Sequence, residues 1–334
     1  MKILILGGTV FLGRHLVQEA LAAGHEVTLF NRGQNNPQLF EQLEKLRGDR
    51  DGALAALANR HWDAVIDTCG YVPRLVRDAL AVLAGACRHY TFISSASVYE
   101  ESWQLPLAEE SKVKTTADET VEEVRGDTYG ALKFLCERET QTKMKGNCLL
   151  LRPGLIVGPY DPSDRFTYWV RRVARGGDIL APGRKEATIQ LIDARDLAAW
   201  TIAMIEKQET GVFNATGPAA ELTMEDFLNT CLIACKSTAP GFARLVWLAD
   251  KQLLENGIAP WSELPLWIPE GSKDRSLLSI NSKKAQNKGL VYRPLAETIA
   301  DTQSWDATRG ENLEMKAGLK ADKERELLAQ CKTA

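Results

Sequence analysis

Lys2-Ile-Leu-Ile-Leu-Gly-Gly-Thr-Val-Phe-Leu-Gly13 opens the chain. Residues 3–6 are apolar without a polar break, as in a strand buried on both faces. Two glycines follow, then a helical pattern over residues 14–23 and a second apolar strand over 26–30. A strand, a Gly-rich turn and a helix make a βαβ unit of the dinucleotide-binding kind. Its glycines permit the tight turn, the approach of the backbone to a pyrophosphate, and close helix–strand packing. Gly8 and Gly13 hold the outer glycine positions, and Val10 stands where the middle one is expected. The Val10 side chain must therefore point away, or the pyrophosphate must shift. The backbone amides at the helix N-terminus still face a phosphate. Gly7, Thr9, Val10, Phe11 and Leu12 are the residues this reading places on the cofactor.

The alternation continues outward. Strands are expected at 43–47, 64–67, 89–94 and 148–152, and helices at 53–59, 72–84 and 120–143. Strands alternating with helices imply right-handed crossovers and a parallel sheet covered on both faces. The fold class is therefore α/β, a Rossmann-type doubly wound parallel sheet. Beyond Gly158-Pro159 the pattern breaks up, with more Pro and Gly and with Trp at 247, 261 and 267. Short strands at 188–192 and 212–214 and helices at 197–206 and 224–234 remain visible. We expect a dinucleotide-binding domain over 1–158, its sheet completed by segments near 188–215. A smaller C-terminal substrate lobe is expected over 159–310, with a charged, solvated helical tail over 311–334.

The 334 residues suffice for one large or two fused domains. Hydrophobic residues make up 45% and charged residues 25%, ordinary values for a soluble globular protein. A formal net charge of −3 gives no basic surface for nucleic acid or an anionic membrane. The seven cysteines are scattered without Cys-x-x-Cys, and no Cys/His spacing suits a metal. Reduced thiols, no metal and a cytoplasmic location are expected. The first strand begins at once, so no leader is expected, and no apolar run is long enough to span a membrane.

Strand two ends in Leu29-Phe30-Asn31-Arg32-Gly33. NAD-binding sheets usually carry Asp or Glu there to hold the ribose 2′-hydroxyl. Asn31 and Arg32 instead offer a guanidinium to a 2′-phosphate and no repelling carboxylate, which favours NADP while leaving NAD open. Asp49, in Arg47-Gly-Asp-Arg50, follows strand three and is placed to accept a hydrogen bond from an adenine amino group, or else forms a plain surface turn.

Tyr129 and Lys133, in Tyr-Gly-Ala-Leu-Lys, lie four residues apart and so share one helix face. An unperturbed Tyr titrates near ~10 and is a poor base at neutrality, and a neighbouring cation lowers that value. Strand five ends in Phe92-Ile-Ser-Ser-Ala-Ser-Val-Tyr99, which puts hydroxyls at the carboxyl end of a parallel strand, where ligands bind.

With the glycine loop, Tyr-x-x-x-Lys, Arg152-Pro153-Gly-Leu-Ile-Val-Gly158-Pro159 and Ile192-Asp-Ala-Arg-Asp196, the chain resembles the extended short-chain dehydrogenase/reductase family, epimerase/dehydratase branch, over roughly residues 1–310. The resemblance implies that Ser95 hydrogen-bonds a substrate carbonyl or alkoxide and that Tyr129 passes the proton. It implies that Lys133 lowers the Tyr129 pKa and holds the nicotinamide ribose, and that Pro153 walls the nicotinamide. Arg50 and Gly70 join the expected cofactor contacts, and Ser97 and Tyr71 the expected substrate contacts. It also implies a homodimer paired through the helix that carries Tyr129.

Departures narrow the chemistry. Dehydratases of this branch place Asp-Glu directly after the active hydroxyl, where this chain has Ala96 and Ser97. Decarboxylases use Glu at the Ser97 position. An Asn and an Arg that hold a nucleotide-sugar diphosphate appear as Leu155 and, by a loose alignment, Ile189. The expected activity is NADP-linked carbonyl reduction or alcohol oxidation on a small or sugar-like molecule. A nucleotide-sugar epimerase with tightly held NAD is the alternative. A cofactor-binding regulator or RNA-associated protein is the alternative from another class.

Overall fold

The computed structural model describes residues 1–236, 242–310 and 313–333. In chain order the elements begin β1 Lys2–Leu6, α1 Phe11–Ala22, β2 Glu26–Asn31, β3 Glu44–Arg47, β4 Trp62–Asp67, α2 Pro73–Leu83 and β5 Cys87–Ile93. They continue α3 Tyr129–Met144, β6 Cys148–Pro153, β7 Ile156–Val157, α4 Arg165–Ala174, β8 Gly177–Pro182, β9 Thr188–Asp193, α5 Ala194–Glu206, β10 Gly211–Ala215, β11 Gly217–Thr223 and α6 Met224–Ala234. The last are β12 Ala243–Leu248, α7 Asp250–Glu255, α8 Lys283–Asn287, α9 Leu295–Asp306 and α10 Ala321–Thr333.

Seven strands form a parallel sheet in the order β10-β6-β5-β4-β1-β2-β3. The order turns back between β1 and β4, the switch point at which doubly wound sheets open a crevice beyond their strand ends. Both faces are covered, so successive β1 residues serve different cores. Ile3 and Ile5 pack with α1 and α5, while Leu4 and Leu6 pack with α2 and α3. This two-sided burial is why the strands read as unbroken apolar runs.

A third core gathers α4, α6, α9, β8, β9 and β12 and includes the buried Trp267, and Trp247 and Trp261 pack against it. Cys231 is buried and Cys235 packs beside it, both as free thiols. Among the described residues no cluster of His, Cys, Asp and Glu is placed to hold a metal, and no helix is long and apolar enough to cross a membrane.

Three elements differ from the sequence expectation. The helix expected over 120–143 starts only at Tyr129. Before it, side chains capture the backbone. Thr128 Oγ1 donates to the Glu123 carbonyl at 2.6 Å and accepts from Arg125 N at 2.9 Å, a local pattern that competes with helix. The helix expected over 53–59 is a single 3-10 turn, Ala55–Leu57. In the tail, α10 is not simply solvated. Leu327 and Leu328 are buried, and Glu324 accepts from Arg172 at 2.6 Å and from Leu180 N at 3.0 Å. Residues 311, 312 and 334 of that tail lie outside the described residues.

Candidate functional site

A cavity of about 570 Å³ opens at the switch point, lined by the loops after β1, β2, β3 and β4 and by the ends of β5 and α3. Gly7 and Gly8 turn the chain with φ of 107° and 90°. The loop tolerates no side chain at three places. A Cβ on Gly7 would stand 2.4 Å from Thr68 Oγ1, one on Gly8 2.7 Å from Leu29 Cδ2, and one on Gly13 2.9 Å from the Gly8 amide. Val10 caps α1 without a side-chain hydrogen bond, so the first amides of the helix are left for an anion. Val10 is 43% exposed and lines the cavity.

Asn31, at the end of β2, is committed to the protein. Its Nδ2 donates to the Gly7 carbonyl at 2.9 Å, and its Oδ1 accepts from Gly33 N at 3.0 Å and from Arg47. Arg32 lies 3.8 Å from Asp49, and both are substantially exposed. Arg47 was not foreseen as part of this group. It reaches across from β3, and only the cross-strand register Asn31↔Arg47 brings it there.

Arg50 lines the cavity, yet its guanidinium is taken up by Asp67 through two contacts of 2.8 Å, with Cys69 Sγ at 3.3 Å. Asp67 is fully buried and also accepts from Tyr90 at 2.9 Å and from Cys69 N at 3.0 Å. Burial alone would raise this carboxyl, but Arg50 holds it below the usual carboxylate range. Leu54 and Leu75 add apolar wall at this end. Neither carries a sequence signal beyond being apolar.

The lining also includes Thr68, Cys69, Tyr71, Ile93, Ser94, Tyr129, Lys133, Ile156 and Pro162. Gly130 lets α3 approach the turn after Ser95, since a Cβ there would meet the Ser97 carbonyl at 2.0 Å. This contact seats Tyr129 against the Ser cluster, whose Ser95 Oγ accepts from Ser97 N at 3.1 Å. The Tyr129 phenol is half-buried. Burial raises its pKa, and the hydroxyl of Ser95 and the charge of Arg165 pull in the opposite direction. Tyr71 is 45% exposed with its ring centroid 6.4 Å from that of Tyr129.

Lys133 is buried. Its ammonium donates to the Gly70 carbonyl at 2.8 Å and to the Ile93 carbonyl at 2.6 Å, and burial pushes its pKa down to about 8. Gly70 has room for no side chain, because a Cβ would lie 2.5 Å from the Phe92 ring. Ser94 Oγ is buried at the cavity wall with no partner, although Ser95 rather than Ser94 carried the sequence expectation. Pro153 is buried at the end of β6 and does not line the cavity, where Ile156 stands instead. Ser95 and Ser97 are half-buried and are not among the residues that line the cavity.

Residues 3–216 match the model of the NAD dependent epimerase/dehydratase family. A curated relative, the chloroplast stem-loop binding protein of 41 kDa b of Arabidopsis thaliana, is 30% identical over 235 residues, 65% of this chain and 58% of the relative. The chain thus spans less than two thirds of that relative's length. Solved structures share the fold. The UDP-glucuronic acid 4-epimerase of Bacillus cereus, in complex with NAD, superposes with TM-score 0.65 at 17% identity, over 93% of this chain and 100% of that one. The enzyme WbmH of Bordetella bronchiseptica, in complex with NAD+, gives 0.69 at 14% identity over 93% and 99%. A putative epimerase of Burkholderia cenocepacia gives 0.67 at 20% identity over 92% and 98%.

Proposed function

The chain belongs to the NAD dependent epimerase/dehydratase family, and from that premise we propose that it is an NADP-linked oxidoreductase acting on a carbonyl or secondary alcohol of a small or sugar-like molecule. The observation that carries this reading is the meeting of Tyr129, Lys133 and Ser94 on one wall of a cavity whose other end is the glycine loop. The residues fit a dinucleotide. The loop cradle is closed to any Cβ, α1 begins with unpaired amides, and the buried Ser94 hydroxyl lacks a partner beside Lys133. When bound, the nicotinamide supplies the hydride.

The protein's own part is position and proton. The Tyr129 phenol, kept protonated by burial, donates to the developing alkoxide in reduction and takes the proton back in oxidation. Ser95 steadies the same oxygen. An ammonium has three N–H donors, and two of those on Lys133 serve backbone carbonyls, which leaves one for the ribose hydroxyls. Arg32, with Arg47 behind Asn31, offers cationic donors to a 2′-phosphate. Ala96 is buried and Ser97 is a hydroxyl, so the turn holds no carboxylic acid for dehydration. The test is titration of the purified chain with NADPH and NADH by cofactor fluorescence, followed by a carbonyl screen. Failure to bind either dinucleotide removes the reading.

The NAD-bound epimerase neighbours favour a second reading, nucleotide-sugar epimerisation with retained NAD. Leu155 and Ile189 weigh against it, since both pack in or against the apolar core of the second lobe and bring no charge to a diphosphate. The relative's printed name raises stem-loop binding, which a net charge of −3 disfavours.

A further inference from the structure

We propose that Asn36 is a positioning residue for the dinucleotide: it holds the loop after β2 against the glycine loop, and so fixes Arg32 to meet a 2′-phosphate. This rests on the NADP reading above and adds a residue that acts on cofactor choice without touching the cofactor. Two side-chain amides join the loops. Asn31 Nδ2 donates to the Gly7 carbonyl at 2.9 Å, and Asn36 Nδ2 donates to the Thr9 carbonyl at 2.9 Å. The segments 7–9 and 31–36 are therefore stapled to each other at both ends. Between the staples, Arg32, Gly33, Gln34 and Asn35 all line the cavity, as the glycine loop does. Asn36 is not part of the lining, so it works through the residues it holds.

This stretch needs a tether. Residues 32–36 belong to no helix or strand, and Arg32, Gln34, Asn35 and Asn36 are exposed. Asn suits position 36 on two counts. Its φ of 45° lies in the left-handed region, which Asn enters more readily than most residues with a side chain. Its amide also supplies the N–H that the Thr9 carbonyl accepts. Gly33 adds a third point of attachment. Its backbone N donates to Asn31 Oδ1 at 3.0 Å, and a Cβ there would stand 3.1 Å from Arg47 Cζ.

An exposed loop that orders only when its ligand arrives takes that entropy out of the affinity, and a loop fixed beforehand does not. NADPH and NADH differ only in the 2′-phosphate. A gain delivered through Arg32 therefore appears with NADPH and not with NADH. A loop that merely braced the fold would affect both alike.

The test is fluorescence titration of the full chain with NADPH and NADH in the wild type, Asn36→Gly, Arg32→Ala and the double variant. Glycine keeps the left-handed backbone and deletes the amide, and far-UV circular dichroism verifies that each variant is folded. We expect Asn36→Gly to weaken NADPH about fivefold and NADH by less than about twofold. In the Arg32→Ala background the same substitution should leave NADPH affinity unchanged, because the residue it acts through is gone. Equal losses for the two cofactors, no loss for either, or a loss of NADPH that survives in Arg32→Ala overturns the role of Asn36 while the dinucleotide reading stands. A wild type that binds neither dinucleotide, or binds NADH as tightly as NADPH, brings down the NADP reading and this inference together.

Discussion

Lys133 Nζ lies 2.6 Å from the Ile93 carbonyl oxygen, and this bond ties α3 to the last residue of β5. The ammonium is thereby anchored to the backbone of the sheet instead of to the Tyr129 phenol. Its charge is nevertheless precarious, because burial is the largest influence on it and lowers its pKa from an ordinary 10.5 to about 8.

A pH dependence follows. Between about 8 and 10.5 the unfolded chain keeps a proton on Lys133 that the folded chain has lost. Folding stability contributed by this group therefore rises with pH across that window. Denaturant midpoints at the two ends of the window should differ between wild type and Lys133→Met, in which the contribution is absent. Dinucleotide affinity should move the other way in the wild type, weakening as the ammonium loses its charge above about 8. A pH-independent affinity in the wild type would show that the ammonium does not hold the cofactor.

Replacing Tyr129 by Phe keeps the ring beside Tyr71 and removes only the transferable proton. Loss of a positioned acid or base costs about 10²–10⁴-fold in turnover. Single-turnover rates should fall by that order while the dinucleotide Kd stays within about threefold, a change of well under 1 kcal/mol. A variant that turns over like the wild type would take the proton-transfer role away from Tyr129.

Arg32 separates the two cofactors. It is exposed and only loosely paired with Asp49 at 3.8 Å, so a 2′-phosphate competes for it easily. Arg32→Ala should weaken NADPH by about tenfold, near 1.4 kcal/mol, and leave NADH unchanged. The double variant with Arg47→Ala should widen the difference. Equal losses for both cofactors would mean that the arginine contacts something common to them.

Much of this was legible in the residues. Unbroken apolar runs such as 3–6 and 64–66 announce strands covered on both faces, and the glycines of the first loop announce a backbone that must approach a phosphate. The start of α3 was not legible. Its buried face includes Lys133 and Glu137, the latter paired with Arg152 at 2.6 Å, so the apolar period that marks a helix is interrupted. Nor was the fate of Arg50. Its partner lies 17 residues away on another strand, and only folding brings the two charges into line.

The Arg50–Asp67 pair supplies the last prediction. Arg50 lines the cavity, and behind it Asp67 is fully buried and held by four donors from Arg50, Tyr90 and Cys69. Removing one partner of a buried pair strands the other charge, which typically costs about 3–5 kcal/mol. Arg50→Met should therefore lower the melting temperature sharply, and Asp67→Asn should do so comparably. The Asp67 carboxyl titrates below its unfolded value, so its contribution is present above the ordinary carboxylate range and is lost as pH falls through the folded value. The stability gap between wild type and Asp67→Asn should consequently close on acidification. The double variant Arg50→Met, Asp67→Leu removes both charges and should recover much of the loss. It should also retain dinucleotide binding, since the guanidinium is spent on Asp67. If the double variant is as stable as the wild type yet no longer binds NADPH, Arg50 contacts the cofactor after all and the pair is part of the binding site.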